Sequence, residues 1–199
     1  MKNFILLLSL LLFFACNNDS KGTGQDAENP SEAISANTAA NTPASTAPAN
    51  APQAPKKLNA TLTLAASSPA LRKGQTGCVS VTCVGFVDLV SMQFTMKWDK
   101  SVLQFQEVRG FNLPYLGPAN YGPHRSAEGE LTFVWIDNSL QGVTKSDGTS
   151  LYEVCFTGTG NSGQASPFQF TDAPTAIEVV HKSVQVVNFK GIDGVVKLQ

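Results

Sequence analysis

The chain has 199 residues, a formal net charge of −1 and only 15% charged residues. This length accommodates one ordinary domain with additional segments. Because there is no basic excess, the sequence does not indicate a nucleic-acid-binding protein. The chain contains two histidines and four cysteines, so it is poor in the side chains from which active sites are built. Composition therefore favours a binding or structural role over catalysis.

The N-terminal stretch MKNFILLLSLLLFFAC has the order of a secretory signal peptide. Lys2 precedes an apolar run from Phe4 to Phe14, and Ala15 stands immediately before Cys16. The run is too short to span a bilayer as a helix of the mature protein. Its end, LFFAC, resembles a bacterial lipobox, in which the cysteine after the cleavage point receives lipid.

We therefore predict a signal peptide at residues 1–15 and lipidation of Cys16. This modification would make the chain a lipoprotein of the bacterial outer membrane, anchored in the cell envelope. The sequence leaves open which side of that membrane the remainder of the chain faces. The alternative is an ordinary signal peptide followed by an incidental cysteine.

Residues 16–57 are rich in Asn, Ala, Thr, Ser and Pro and contain no aromatic side chain. Such a segment buries too little apolar surface to offset its conformational entropy, so we predict a disordered tether. As a flexible coil it would reach about 35 Å. A tether of this length would hold a domain away from a membrane surface.

Residues 58–199 contain many short runs in which apolar and polar residues alternate. Examples are CVSVTC, SMQFTMKW, LTFVWI and LYEVCF, and turn-forming stretches such as RKGQTG and SDGTS separate the runs. No stretch shows helical periodicity over two or more turns. Many short strands at near-regular spacing predict an all-β domain, an antiparallel sandwich of two sheets.

Alternation assigns the faces of the two strands that contain the tryptophans. The predicted core positions are Phe94, Met96, Trp98, Leu131, Phe133 and Trp135. The predicted outward positions are Gln93, Thr95, Lys97, Thr132, Val134 and Ile136. Both tryptophans are therefore expected in the core rather than on a sugar-binding surface.

Catalytic and metal-binding patterns find little support in the sequence. His124 and His181 stand without Cys, Asp or Glu at the spacing of zinc ligands, so both are expected at the surface. Asp137, Asp147 and Asp193 lie next to predicted turns, where Asp is favoured for backbone reasons. We expect a non-catalytic protein with no metal site and no cofactor, although the sequence leaves open whether a calcium ion is bound.

The stretch GFNLPYLGPANYGPHRS predicts a long loop beginning at Gly110. Long loops on rigid sheets often carry function, and Tyr115 and Tyr121 are candidates to stack on a sugar or a partner side chain. The favoured alternative is that Phe111, Leu113 and Leu116 fasten the loop over the end of the sandwich.

The order of the runs resembles a cohesin module. The stretches that carry the resemblance are GQTGCVSVTC, SMQFTMKWDKSVLQFQEV, GELTFVWID, DGTSLYEVCF and GIDGVVKLQ. The similarity extends over nearly all of the domain and none of the tether. The chain is also similar to the wider group of sandwiches that includes cellulose-binding modules. The resemblance implies a nine-stranded jelly-roll sandwich.

The resemblance also implies a binding function. Cohesins bind dockerin modules through one sheet, and the strands that match SMQFTMKW and LTFVWI belong to that sheet. The implied contact residues are Ser91, Gln93, Thr95, Lys97, Thr132, Val134 and Ile136. The alternative for this face is a surface covered by solvent or by the protein's own loops.

Two partners remain possible, a dockerin-type protein module or a polysaccharide. A polysaccharide binder of this group would expose coplanar aromatic residues on one sheet face. Because the outward residues here are small, polar or aliphatic, the first hypothesis is favoured.

The cysteines that remain after Cys16 are odd in number, so the domain forms at most one internal disulfide. Alternation places Cys78 on the face opposite Cys83, and Cys155 on the face opposite Val154. Cohesins place the two corresponding strands side by side in one sheet. The resemblance therefore implies a Cys78–Cys155 disulfide and a free Cys83 thiol in the core.

Overall fold

The computed structural model describes residues 54–199. The predicted signal peptide, Cys16 and all but the end of the predicted tether lie outside the described residues. The described part forms twelve strands: β1 Lys57–Ala66, β2 Ala70–Leu71, β3 Thr76–Val84, β4 Leu89–Lys97, β5 Leu103–Arg109, β6 Tyr121–Gly122, β7 Glu130–Ile136, β8 Ser150–Gly158, β9 Ala165–Thr171, β10 Glu178–His181, β11 Gln185–Ile192 and β12 Gly194–Leu198. Two short 3-10 helices occupy Pro118–Asn120 and Pro123–Glu128. Neither has the length or the apolar character needed to cross a membrane.

The strands form two layers. One layer has the order β5-β8-β3-β1-β11. The other contains β6, β7 and β4, and the far edge of β4 pairs with β10 along one half and with β9 along the other. Strand β9 continues this layer to β12 and β2. Strand β10 also pairs with β11, so it joins the two layers at one edge.

The all-β sandwich predicted from alternation is confirmed, but the prediction of nine antiparallel strands is wrong in detail. The pairs β1–β11 and β2–β12 are parallel. The last apolar run divides at Asp193, so that β11 joins one layer and β12 the other. At Gly194 a Cβ would collide with the carbonyl oxygen of Ser67, so this crossing requires glycine. Strands β2 and β6 have only two residues each, too few for alternation to reveal.

The core lies between the layers and is rich in aromatic side chains. Trp98 packs against Phe105 and Phe156, with ring centroids 6.1 and 5.0 Å away. Trp135 is fully buried against Phe86 at 5.8 Å. The prediction that both tryptophans belong to the core is therefore confirmed. Burial of each large aromatic stabilises the fold by roughly 1.5–3 kcal/mol.

A disulfide joins Cys78 and Cys155, the pair that the resemblance implied. The two residues lie directly opposite each other on the antiparallel strands β3 and β8. Cys83 is buried and forms no disulfide, and its burial raises the pKa of the thiol. The disulfide therefore stays within the layer opposite to β4 and β7.

Candidate functional site

The strands β4 and β7 lie side by side and present one shared outer face. Their outward residues are paired in register as Ser91–Ile136, Gln93–Val134, Thr95–Thr132 and Lys97–Glu130. We call this surface the β4–β7 face. All seven predicted contact residues belong to it, and they differ in how far solvent reaches them.

Val134 and Ile136 form the apolar part of the β4–β7 face. Val134 is 41% exposed and Ile136 is 48% exposed. Ser91, Gln93 and Thr132 next to them are partly exposed and uncharged. A rigid sheet therefore holds two aliphatic side chains in solvent among neutral polar groups.

Thr95 is not available to a partner, so the prediction that it is a contact residue is wrong. Its residue exposure is 0%, because the segment 172–177 between β9 and β10 crosses over it. The Thr175 amide donates to Thr95 Oγ1 at 2.9 Å, and that hydroxyl donates to the Thr175 carbonyl at 3.3 Å. Strands β9 and β10 pair with successive halves of one edge of β4, so the segment between them bulges over the sheet.

The charged end of the face is neutralised by the protein itself. Lys97 Nζ lies 2.9 Å from Glu130 Oε1. Arg125 Nε lies 2.6 Å from Glu130 Oε2, and Arg125 also pairs with Glu128 at 2.8 Å. The hydrogen bond from Lys97, assisted by Arg125, lowers the pKa of the Glu130 carboxyl. Lys97 is thus engaged within the domain.

A groove of about 420 Å³ runs beside β7 at the apolar part of the face. The loop residues Tyr115, Ala119 and Asn120 line one side of it, and Thr132, Val134 and Ile136 form its floor. Asn120 fixes the loop to the strand, because its Nδ2 donates to the Val134 carbonyl at 2.9 Å. Tyr115 was a sequence candidate, whereas nothing in the sequence pattern indicated the role of Asn120.

The two tyrosines of the loop have different environments. Tyr121 is only 6% exposed and packs against Phe133 and Tyr152, with centroids 5.0 and 5.5 Å away. This burial raises the pKa of its hydroxyl. Tyr121 is therefore a core residue, and its suggested stacking role is wrong. Tyr115 is 56% exposed and remains a candidate contact residue.

The loop is fastened to the sandwich, as the favoured alternative predicted. Leu113 is buried, and Phe111 and Leu116 pack against the core. Trp135 Nε1 donates to the Pro114 carbonyl at 2.7 Å. The buried indole thus holds the backbone immediately before Tyr115.

The polar residues considered for catalysis have structural surroundings instead. His181 Nδ1 lies 2.8 Å from Ser183 Oγ, and its Nε2 lies 4.0 Å from Asp88. The carboxylate of Asp137 accepts hydrogen bonds from the Ser139 hydroxyl and amide and from the Gly142 amide. Asp147 and Asp193 accept from the backbone amides of Gly85 and Phe170. These carboxylates stabilise turns.

No protein-family model and no curated protein sequence matches the chain. Solved structures do match. The chain is similar to a type I cohesin–dockerin complex from Clostridium thermocellum, with a TM-score of 0.60 and 14% identity, over 72% of this chain and 97% of the other.

A non-cellulosomal cohesin from Archaeoglobus fulgidus matches with a TM-score of 0.57 and 19% identity, over 70% and 92% of the two chains. A type I cohesin from Pseudobacteroides cellulosolvens matches with a TM-score of 0.56 and 14% identity, over 69% and 92%. The domain therefore has the cohesin fold, as the sequence resemblance implied.

Proposed function

We propose that this domain is a protein-recognition module that binds a dockerin-type partner through the β4–β7 face. Structures of the same fold include complexes of cohesins with dockerins. The observation that carries the proposal is the exposure of Val134 and Ile136 on a rigid strand, among uncharged neighbours. Contiguous exposed apolar patches rimmed by polar residues mark interaction sites, and Val134 and Ile136 are adjacent outward positions of one strand.

The free energy available from burial of the two aliphatic side chains fits a modest interface. Complete burial of an exposed aliphatic side chain is worth roughly 1.5–3 kcal/mol, and less for a side chain that is already half buried. Val134 and Ile136 would then be the central contacts, with Ser91, Gln93 and Thr132 around them. Because Lys97 is paired with Glu130, we expect the affinity to depend weakly on salt.

The polysaccharide alternative has less support. A sugar-binding sheet face uses several exposed coplanar aromatics, whereas Tyr115 is the one large aromatic exposed among residues 54–199. We therefore treat polysaccharide binding as an outcome of the test rather than as a second proposal.

The test is a Val134→Asp substitution in the chain from residue 17 onward. Binding is measured by calorimetry against a panel of dockerin modules, including the one from the Clostridium thermocellum complex. We expect affinity to fall about tenfold or more, about 1.4 kcal/mol, because the charge would be desolvated in the contact. The melting temperature should stay within about 2 °C of the parent value, since Val134 lies outside the core.

Val84→Asp is the matched control, since Val84 is 48% exposed at the end of β3 in the other layer. It should leave dockerin affinity unchanged. The proposal is wrong if no dockerin of the panel binds the parent chain, or if Val134→Asp binds as well as the parent. Retention of both proteins on insoluble cellulose would instead establish the polysaccharide function.

The proposal also covers where the domain is held in the cell. We propose that lipid at Cys16 anchors the chain in the bacterial envelope and that the tether presents the domain to its partner. The support is the sequence order of signal peptide, Cys16 and tether.

A further inference from the structure

We propose that Tyr115 and the groove beside β7 form a socket for one uncharged aliphatic side chain of the protein partner. This inference rests on the proposed function of the β4–β7 face, and it names the chemistry of the contact. We call the groove, with Tyr115 as its wall and Val134 and Ile136 in its floor, the Tyr115 socket.

The backbone of Tyr115 is held in an unfavourable conformation. Its φ is 61°, in the left-handed region that residues other than Gly, Asn and Asp rarely adopt. Such strain persists only where the surroundings impose it, and it often marks functional positions. Here the Trp135 indole holds Pro114 by a hydrogen bond of 2.7 Å, and the buried Leu113 fixes the chain before it.

Burial of the ring does not account for this conformation. The side chain of Tyr115 stays largely in solvent, with 56% exposure of the residue. The loop therefore places an aromatic ring outside the core, in the groove that Val134 and Ile136 also line. Because the backbone of Tyr115 is fixed before binding, a partner would have to order only the side-chain torsions of the ring.

The uncharged lining of the Tyr115 socket selects against charged ligands. None of the residues that line it is charged. A Lys, Asp or Glu side chain placed there would lose water without gaining an opposite charge.

Of the polar groove residues Asn120, Thr132 and Asn138, the first is not available to a sugar. Both ends of the Asn120 amide are already used, because Oδ1 accepts from the Gly117 amide at 2.8 Å and Nδ2 donates to the Val134 carbonyl at 2.9 Å. A sugar needs several directed hydrogen bonds besides one stacking ring. A branched aliphatic side chain needs only the apolar floor and the ring, so Leu, Ile, Val or Met is the side chain that fits.

The socket is tested by NMR with the ¹⁵N-labelled chain from residue 17 onward. The probe is N-acetyl-leucinamide, and the comparison probes are N-acetyl-lysinamide, N-acetyl-glutamate and cellotetraose. We expect the leucine probe to shift the amide signals of Val134 and Ile136, whereas the comparison probes leave them in place.

Three variants separate the ring from the backbone. Tyr115→Asn removes the ring, keeps a residue that tolerates positive φ, and should abolish the shifts; Tyr115→Phe should keep them. Val184→Asn is the matched control, because Val184 is 80% exposed and has a φ of 59° on the β10–β11 turn. It should also keep the shifts. The indole N–H signal of Trp135 reports whether the loop remains fastened.

If that indole signal moves in Tyr115→Asn, the Ile136→Asn variant is used in place of Tyr115→Asn. Ile136 lies in the floor of the groove, so its substitution leaves the loop untouched. Loss of the leucine shifts in that variant supports the socket. The inference is overturned if the leucine probe shifts neither amide in the parent chain, if the shifts survive both substitutions, or if cellotetraose shifts the amides more strongly. The NMR probe needs no dockerin, so the two proposals can fail separately. If the chain binds N-acetyl-leucinamide but no dockerin, only the proposed partner is refuted. If the chain binds a dockerin but the leucine probe shifts neither amide, only the socket is refuted.

Discussion

Thr95 and Thr132 face each other across β4 and β7, but only Thr132 meets solvent. The Thr95 hydroxyl accepts from the Thr175 amide and donates to its carbonyl, so it ties the segment 172–177 to the sheet. Thr132 forms no side-chain hydrogen bond with the described residues. Two identical side chains on one face therefore have different roles, and this difference can be measured.

We predict that Thr95→Val lowers the free energy of unfolding by about 1–2 kcal/mol. Valine keeps the shape of threonine but makes neither hydrogen bond with Thr175, and each such bond contributes roughly 0.5–1.5 kcal/mol. Urea unfolding of the two proteins measures the difference. Thr132→Val is the control and should change stability by less than about 0.5 kcal/mol. Equal effects of the two substitutions would contradict the structural role of Thr95.

At the residue scale, alternation correctly assigned the positions that carry the candidate site. It placed Trp98 and Trp135 in the core and Val134 and Ile136 outside it, because side chains of a strand point alternately to opposite faces. It was wrong for Thr95, and the loop composition suggested a stacking role for Tyr121 that its burial excludes, because distant segments determine the burial of both residues. The segment 172–177 covers Thr95, and aromatic rings from β7 and β8 enclose Tyr121. A period within one strand contains no information about such coverage.

At the scale of elements, the turn that follows β7 depends on one buried carboxylate. Asp137 is 1% exposed, and it accepts the Ser139 hydroxyl at 2.7 Å and the amides of Ser139 and Gly142 at 3.0 Å. The Ser139 hydroxyl is the main cause that lowers the pKa of Asp137 below the ordinary value of 3.8, and the backbone amides add to it. The ionised carboxylate therefore holds the loop beside Ile136.

The sign of the pH dependence follows from this lowered pKa. A carboxyl whose pKa is lower in the folded state stabilises the fold above its unfolded-state pKa. That contribution is lost as pH falls through the folded-state value, which lies below 3.8. We predict that Asp137→Asn lowers the melting temperature at pH 7 and makes it fall less steeply between pH 4 and pH 2.

Melting curves recorded by circular dichroism across this pH range provide the measurement. Asp172→Asn is the control, because Asp172 is exposed in the segment before β10. It should leave the curve close to that of the parent. The Asp137→Asn protein could instead be as stable as the parent at pH 7 and equally sensitive to acid. That result would show that the carboxylate does not stabilise the turn.

The sequence predicted the strands better than their pairing. Most strands were visible as alternating runs, because each has one buried and one outer face. The parallel pairing of β1 with β11 and the change of layer at Gly194 depend on contacts between distant segments. The Cys78–Cys155 pair was accessible from the sequence only because a resemblance supplied the neighbouring strands. The face of the site was therefore predictable, whereas the groove beside it required the path of the loop.

At the scale of the whole molecule, the proposed binding face and the proposed anchor lie in different parts of the chain. Val134 and Ile136 belong to the described domain, whereas Cys16 lies outside the described residues. The predicted tether of residues 16–57 separates them in sequence. If the function is to hold a partner at a membrane, anchoring and recognition should be separable by substitution.

The prediction at this scale is that Cys16→Ser abolishes membrane association without changing dockerin affinity. One acyl chain gives only marginal binding to a bilayer, whereas the several chains of a bacterial lipoprotein hold firmly. The full chain is expressed in a bacterium that processes lipoproteins, and its detergent-phase partitioning and the mass of its mature N-terminus are measured. The parent should partition into the detergent phase with lipid on Cys16. The Val134→Asp chain is the reciprocal control, which should keep the lipid and lose the partner. A mature parent chain whose N-terminus is unmodified, or is a residue other than Cys16, would refute the lipid anchor. Equal recruitment of the partner to vesicles by the parent and Cys16→Ser chains would refute the role of the anchor in holding the partner at a membrane.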